Sequence, residues 1–272
     1  MEQYAICGHD IRDVQAVILS IMTDIDALCR EHKIEYFLYG GTLLGAVRHG
    51  GFIPWDDDLD IAMTRKNYNK FKRVVKKYLS KEYYAEDYFA NINNPLSILK
   101  IKLNGTRYVE AIFSHLNIHQ GVYVDVFPLD KVWKPVFKLQ TALLIKLQSV
   151  RNYKLLPRGK KNGGWGKRIL YGWMPLRLCR ALTEGIMRFL NLFPLHTVNQ
   201  LCHRGRHWPL FDIGDVTDLV DIPFECQTFP APRKKEKILT MCYHDYMRMP
   251  PIEKRQPTHG IIECDLGDRY GK

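Results

Sequence analysis

Apolar residues recur at helical spacing near the start of the chain. Over residues 11–31 most of them stand three or four positions apart, at Ile11, Val14, Ile18, Ile21, Met22, Ile25 and Leu28. A period of about 3.6 residues places such positions on one face of a helix. The pattern therefore predicts an amphipathic helix whose apolar face covers a core.

Shorter patterns follow up to about residue 130. "IEYFLYG" is apolar and ends in glycine, "DLDIAM" alternates, and "SILKIKL", "RYVEAIF" and "GVYVDVF" have the composition of strands. "TLLGAVRH" predicts a short helix that stops at Gly50-Gly51, and Thr64 predicts the cap of a helix over residues 65–79. Alternating strands and helices indicate an α/β (α+β) fold with a mixed sheet flanked by helices.

The character of the chain changes after residue 133. Residues 135–151 and 168–190 combine helical periodicity with many lysines and arginines, and the Gly- and Lys-rich "PRGKKNGGWGKR" lies between them. We therefore predict a catalytic core at residues 1–133 and a mainly helical, basic region at residues 134–210.

Residues 211–272 are predicted to form a C-terminal segment that packs on the core. "TDLVDIPFECQTFPAP" indicates extended structure, and Pro232 predicts the start of a helix. The tail from Ile262 is expected to be poorly ordered, as chain ends often are.

Composition places the chain among globular proteins with a polyanionic partner. Hydrophobic residues make up 46% of the 272 positions, and 40 basic against 29 acidic residues give a net charge of +11. This charge suits nucleic acid, nucleotide phosphates, a phosphate-bearing glycan or an anionic membrane, and does not choose among them.

The first residues, "MEQYAICGHD", lack a secretory pattern, and no apolar stretch reaches the roughly 20 residues needed to span a bilayer. The 7 cysteines show no framework spacing. Reduced thiols in a cytoplasmic protein are expected.

An acidic cluster stands out against this basic background. Asp56, Asp57, Asp58 and Asp60 fall within five positions. Residues two apart on a strand share one face, so Asp58 and Asp60 can converge on a divalent cation. Leu59 and Ile61 lie on the opposite face and are expected to be buried. A solvated acidic loop is the alternative. Asp57 would face the other way if the strand extends that far, and Asp56, upstream on the same side as Asp58, would support the site.

Two further features complete a candidate site. Gly40-Gly41-Thr42 connects a strand to a helix, and such a turn lets backbone N–H groups approach a phosphate. Asp125 stands alone in an apolar strand, which is costly unless the carboxylate binds a metal, takes part in catalysis or accepts structural hydrogen bonds. Asp130, beyond Pro128, is interpreted as a turn or cap residue.

These residues make the sequence resemble the LicD family of phosphocholine transferases, within the nucleotidyltransferase-fold superfamily. The family pattern is a Gly-Gly turn, an Asp-x-Asp strand and a later strand acid. Here "YGGTLLGAVRHGGFIPWDDDLDIAM", "LKIKLNGT", "GVYVDVFPLD" and "YHDYMRMPPIEKRQPTH" match family blocks across most of the chain, and residues 134–210 carry little of the match. One departure is Tyr243-His244, where the family often has Tyr-Gly.

The resemblance implies a nucleotidyltransferase-like fold and a reaction. A CDP-alcohol, usually CDP-choline, gives its phospho-alcohol to a hydroxyl of a surface glycan or of a teichoic-acid or lipopolysaccharide precursor, and CMP leaves. Mg²⁺ (or Mn²⁺) on Asp58, Asp60 and Asp125 would bridge the diphosphate. Asp125 or Asp58 would accept the acceptor proton. No nucleic acid takes part.

The resemblance also implies cationic and aromatic residues that contact the CDP-alcohol donor substrate. Arg48, Lys100 and Lys102 would bind phosphate, and Trp55 would stack on the base or close the pocket. Arg48 can also be a solvent-facing cation at a helix end, and Trp55 a core residue. Related family members transfer polyol phosphates.

Other interpretations stay open at this point. The same acids would serve a nucleotidyltransferase that moves NMP from an NTP to a small hydroxylated acceptor, or they would be retained in a non-catalytic glycan- or membrane-binding relative. The basic helices of residues 135–195 either pack on the core, cover the acceptor site or lie on an anionic membrane beside a lipid-linked acceptor. Cys202, His203, His207, Cys242 and His244 are candidate zinc ligands.

Overall fold

Strands from both halves of the chain join one mixed sheet in the computed structural model, which describes residues 4–155, 171–202 and 209–267. The helices of these residues are α1 Ile11–Glu31, α2 Gly40–His49, α3 Arg65–Tyr78, α4 Phe137–Leu155, α5 Leu176–Phe189, α6 Ile213–Thr217 and α7 Lys235–Tyr243, with 3-10 turns at Lys134–Val136, Leu190–Leu192 and Ile252–Lys254.

The strands are short apart from one that runs through the centre. They are β1 Ala5–Ile6, β2 His9–Asp10, β3 Phe37–Leu38, β4 Asp60–Thr64, β5 Tyr83–Glu86, β6 Leu99–Leu103, β7 Arg107–Glu110, β8 Tyr123–Lys131, β9 Thr197–Asn199, β10 Phe211–Asp212, β11 Leu219–Phe224, β12 Gln227–Pro232 and β13 Ile261–Asp265. The predicted α/β fold with a mixed sheet is confirmed.

Strand β8 is the centre of the seven-stranded sheet. It pairs in parallel with β4 and antiparallel with β6. Strands β3 and β5 lie outside these two, and β9 and β10 extend the sheet from the far end of β8. The register sets Asp125 beside both Asp60 and Lys100.

Helix α1 begins and ends as its periodicity predicts, at Ile11–Glu31. Asp10 caps it, since its carboxylate accepts the N–H of Arg12. The apolar stripe is buried and packs against β6 and β8. Helix α3 packs on β4 and β8, and both helices hold the central strands in place.

The basic region forms two packed helices, α4 and α5. Arg151 of α4 is buried and donates a hydrogen bond to Ser97. "PRGKKNGGWGKR" lies outside the described residues, as do His203 and His207 of the candidate zinc ligands. No helix in the described part of the chain is long and apolar enough to cross a membrane.

The C-terminal segment differs from the prediction at two places. The tail is ordered as far as β13, because Ile261–Asp265 pairs antiparallel with β7. Pro232 ends β12 instead of starting a helix, and α7 begins at Lys235. The hairpin of β11 and β12 confirms the predicted extended structure. The division into three regions stays a prediction.

Asp130 corrects a further expectation. It is fully buried at the end of β8, where its carboxylate accepts two hydrogen bonds of 2.6 Å from Arg65 and one of 2.8 Å from Asn191. The carboxylate is therefore a core partner of the first residue of α3, not a turn or cap residue.

Candidate active site

The three predicted catalytic carboxylates line one cavity of about 480 Å³, which we name the acid cavity. Its walls come from the sheet, from the segments beside it and from the C-terminal segment: Tyr39, Asp58, Asp60, Leu96, Ile98, Lys100, Glu110, Ile112, Phe113, Asp125, Phe127, Gln200, Thr258 and His259. The structure thus brings together acids that lie more than 60 positions apart in the sequence.

Strand register explains how two of these acids meet. Asp60 of β4 stands opposite Asp125 of the parallel strand β8, and the Asp125 N–H donates to the Leu59 carbonyl at 3.0 Å. Leu59 and Ile61 are fully buried, as predicted. Asp58 precedes β4, so the strand begins two residues later than the alternation predicts, yet Asp58 still faces the acid cavity.

Burial and mutual repulsion act on these carboxylates. Burial raises the pKa of Asp60 well above its usual range, and Asp58 and Asp125 add to the rise. Burial also raises the pKa of Asp125 to about 6, although Lys100 opposes the shift. A cation among the carboxylates would relieve both effects.

Lys100 is the cation that the sheet itself supplies. Its Nζ lies 3.1 Å from Asp125 Oδ1 and 3.3 Å from Glu110 Oε1. The same ammonium sits over the Tyr123 ring, 3.3 Å from its centroid. Lys100 therefore lines the acid cavity in a fixed position, and its predicted contact with phosphate stays a prediction.

Lys102 points to a different partner. Its buried ammonium donates to Glu86 of β5 and to the His119 carbonyl. Within the described residues Lys102 does not line the acid cavity. This geometry disfavours the phosphate contact predicted from its sharing a strand face with Lys100.

The glycine turn is the first turn of α2, not a loop before the helix. Gly40 and Gly41 are its first two residues, and Gly40 has a φ of 57°, which favours glycine. A Cβ at Gly41 would lie 3.0 Å from Asp56 Oδ2. The hydroxyl of Thr42 accepts the Asp60 N–H at 2.8 Å, so the turn positions the start of β4.

Asp56 lies between the turn and the acids. Its carboxyl group is close to Gly41 at the N-terminus of α2. Burial raises its pKa well above the usual range, and Asp58 raises it further. This placement agrees with the expectation that Asp56 supports the site from behind.

Arg48 and Trp55 line a second cavity of about 420 Å³, which we name the Trp55 cavity. Tyr243, Tyr246 and Arg248 from the C-terminal segment complete it together with Leu44, Ile53, Asp245, Met249, Pro250 and Pro251. Arg48 is half-buried and its Nη1 donates to the Tyr246 carbonyl at 3.0 Å. It is therefore not a solvent-facing helix-end cation.

Trp55 is a core residue that also reaches a cavity. It is 8% exposed and belongs to the core, and one part of it lines the Trp55 cavity. The Arg255 guanidinium lies 5.7 Å from its ring centroid. Base stacking on Trp55 stays a prediction.

His259 is the main site residue that the sequence reasoning missed. Its Nδ1 lies 2.8 Å from Asp57 Oδ1 and its Nε2 lies 3.4 Å from Asp58 Oδ2. Asp58 and Asp57 raise the pKa of His259 to about 10, against the opposing effect of burial. The signal was indirect, because only the block "YHDYMRMPPIEKRQPTH" marks this part of the sequence.

Asp57 is fully buried and precedes β4, and one of its carboxylate oxygens lies within 4.8 Å of ligand atoms of Asp58 and His259. Its backbone carbonyl accepts a hydrogen bond from the Tyr108 hydroxyl at 3.0 Å, and its carboxylate accepts hydrogen bonds from the His259 ring and the Thr258 N–H.

Glu110 is a second site residue that the sequence reasoning missed. Like Asp125 it is a single acid in an apolar strand, and the same reasoning could have found it.

The donor atoms of the site fit a hard divalent cation. Asp58, Asp60 and Asp125 supply carboxylate oxygens to one cavity, the ligand type that Mg²⁺ and Mn²⁺ prefer. The set whose ligand atoms lie within 4.8 Å of one another is Asp57, Asp58 and His259. Asp58 belongs to both groups, and the predicted metal ligands stay a prediction.

Comparison with known proteins agrees with the motif resemblance. Residues 33–139 match the family model described as LicD/FKTN/FKRP, nucleotidyltransferase domain. The chain is 28% identical over 263 residues to the lipopolysaccharide cholinephosphotransferase LicD of Haemophilus influenzae, which covers 92% of this chain and 96% of that protein.

Two further similarities are local. Mannosyltransferase regulator 4 of Saccharomyces cerevisiae is 25% identical over 134 residues, 47% of this chain and 11% of that protein. The human ribitol 5-phosphate transferase FKRP is 57% identical over 30 residues, 11% of this chain and 6% of that protein. The family resemblance inferred from the motifs is confirmed.

Proposed function

We propose that this chain is a transferase of the LicD family that moves phosphocholine from CDP-choline to a hydroxyl of a cell-surface glycan. The single observation that carries the proposal is the acid cavity, which Asp58, Asp60, Asp125 and Lys100 line together. The relative aligned along nearly its full length is named a lipopolysaccharide cholinephosphotransferase. A lipopolysaccharide or teichoic-acid precursor, free or lipid-linked, is the proposed acceptor.

The donor would lie across the two cavities. Lys100 and the N–H groups of Gly40 and Gly41, the first two residues of α2, would contact the diphosphate. Arg48 and Trp55 would hold the nucleotide end in the Trp55 cavity. Asp58, Asp60 and Asp125 would hold Mg²⁺, which when bound neutralises charge on the diphosphate.

The transfer itself needs a base and a leaving group. The acceptor oxygen forms a bond to the phosphorus that carries choline, and the bond from that phosphorus to the oxygen of CMP breaks. Asp125 or Asp58 accepts the proton of the acceptor hydroxyl, and a carboxyl group with a raised pKa such as Asp125 suits this role near neutral pH. Lys100 stabilises the negative charge that builds up on the phosphate oxygens.

A second candidate donor is a CDP-polyol. The local identity of 57% to a protein named ribitol 5-phosphate transferase favours it, and that short alignment covers 11% of this chain. The acid cavity would serve both donors, since only the group beyond the phosphorus differs.

One assay separates these possibilities. The purified chain is incubated with Mg²⁺, an acceptor glycan that lacks phosphocholine, and CDP-choline, CDP-ribitol or CTP. Asp60→Asn is the control, and CMP and pyrophosphate are measured together with glycan-bound choline. CMP with choline on the glycan supports the proposal, and CMP from CDP-ribitol alone supports the second donor. Pyrophosphate from CTP would indicate a nucleotidyltransferase, and no release from any donor would indicate a non-catalytic relative.

A further inference from the structure

Helix α5, Leu176–Phe189, reverses the usual arrangement of polar and apolar side chains. Arg180 and Glu184 are 3% and 9% exposed, whereas Leu178 and Phe189 are 44% and 58% exposed. A helix at a water surface normally buries its apolar side and exposes its charges. The outer side of α5 is therefore not built to face water.

The buried charges of α5 are well paired and fix its orientation. Arg180 donates to backbone carbonyls of a single loop, at Tyr88, Asn91, Ile92 and Asn94. Glu184 accepts the Tyr88 hydroxyl and forms ion pairs with Arg65 and Arg188. Because buried charges are costly without such partners, α5 cannot rotate its leucines inward.

Helix α4 continues the apolar surface. Together with α5 it forms a groove of about 630 Å³ that we name the α4–α5 groove. Its described lining consists of apolar side chains and Gln140, and includes Trp133, Leu139, Leu182 and Phe189. Leu139, Trp133 and Phe189 in this lining are 63%, 51% and 58% exposed, so the groove presents a contiguous apolar surface.

The exposed charged residues around the groove are positively charged. Lys134, Lys138, Lys146 and Arg177 are exposed on the same helices and on the turn before them. Glu184 is the only acidic residue between positions 134 and 193 of the sequence, and it is buried. The exposed side of this region is therefore apolar and cationic.

We propose that the α4–α5 groove and its lysines dock on the surface of an anionic phospholipid bilayer. Leu139, Leu182 and Phe189 would enter the interface, and Lys134 and Lys138 would contact headgroup phosphates. An apolar helix face flanked by Lys and Arg is the chemistry of helices that lie in a membrane interface. This inference rests on the surface alone and does not depend on the proposed reaction.

Vesicle sedimentation tests the proposal directly. The full chain is mixed with phosphatidylcholine vesicles that contain or lack phosphatidylglycerol, at low and at high salt. Binding is expected on the anionic vesicles at low salt, with a loss on adding salt. Leu139→Asp and Phe189→Asp are each expected to weaken binding roughly tenfold or more.

Two matched controls distinguish binding by this surface from nonspecific binding to vesicles. Ile252→Asp introduces the same change at a residue that is 65% exposed elsewhere, against 63% for Leu139, and should bind like the parent chain. The triple variant Lys134→Glu, Lys138→Glu, Lys146→Glu should lose binding, whereas the same three changes at exposed lysines of α3 (Lys66, Lys76 and Lys77) should weaken it less.

Several results would overturn the inference. They are no sedimentation of the parent chain with anionic vesicles, equal losses for both triple variants, or unchanged binding by Leu139→Asp and Phe189→Asp. A dimer that Leu139→Asp dissociates in sedimentation velocity would show instead that a second copy covers the groove. Thermal melts check that each variant is folded.

Discussion

Asp60 and Asp125 stand directly opposite each other on the parallel strands β4 and β8, and the Asp125 N–H donates to the carbonyl of Leu59, the residue before Asp60. The sheet therefore fixes the spacing of two carboxylates that repel each other. Asp125 is paired with Lys100 at 3.1 Å, and its repulsion adds to the burial that raises the pKa of Asp60, so a proton on Asp60 or a bound cation would stabilise the pair.

Replacing Asp60 or Asp125 with asparagine should lower turnover without a matching loss of stability. Asp60→Asn and Asp125→Asn are each expected to lower turnover about a hundredfold or more, because a carboxylate oxygen of the proposed metal site is lost. Without metal, Asp60→Asn should raise the melting temperature, since it removes a repelling charge. CMP release and melting with and without Mg²⁺ measure both effects. Unchanged turnover in either variant would remove that residue from the proposed metal site.

The hydrogen bond from the Asp60 N–H to Thr42 predicts a difference between two conservative changes. Thr42→Ser keeps the accepting hydroxyl and should leave turnover near the parent value. Thr42→Val leaves the N–H of Asp60 without this partner, which should cost about 1–3 kcal/mol of stability and reduce turnover. Denaturant unfolding and steady-state kinetics test this, and equal behaviour of the two variants would show that the hydroxyl has no role.

The same substitution should have different effects at Lys100 and Lys102: a loss of turnover at Lys100 and a loss of stability at Lys102. Lys100→Met is expected to reduce turnover about a hundredfold, because its ammonium faces the acid cavity. Lys102→Met should leave turnover of the folded chain nearly unchanged. It should cost about 3–5 kcal/mol of stability, since buried Glu86 loses its partner. A turnover loss by Lys102→Met as large as that of Lys100→Met, at equal folded fraction, would place Lys102 in the site.

His259 is expected to act by positioning Asp57 and Asp58. His259→Asn retains a hydrogen-bond donor but no charge, and should shift the Mg²⁺ concentration needed for half-maximal turnover by about 10–100-fold. His259→Ala should in addition cost about 1–3 kcal/mol of stability, because Asp57 is left buried without this partner. A titration of activity with Mg²⁺ measures the first effect. Reduced activity at every Mg²⁺ concentration with no shift would instead indicate a direct role in transfer.

The parts of the fold set by local pattern were predictable. Helix α1 follows from its apolar period, and the burial of Leu59 and Ile61 follows from alternation around the acids. The glycine turn was located correctly, although it begins the helix instead of preceding it.

Contacts between distant residues were not predictable from these patterns. His259 and Asp57 are separated by 202 positions, and no local pattern connects them. The Lys102–Glu86 pair depends on the register of β5 against β6. The side of α5 that faces outward is decided by buried charges, which its periodicity alone does not reveal.

The link between Asp57 and the segment around His259 has a consequence for synthesis of the protein. Thr258 and His259 supply the contacts that hold the Asp57 carboxylate, and β13 follows directly and pairs with β7. These residues emerge from the ribosome long after α1 and the central strands can fold. A chain that ends before residue 258 keeps every proposed metal ligand and still lacks one wall of its acid cavity. The active site is in this way completed only after residues 258 and 259 have been synthesised.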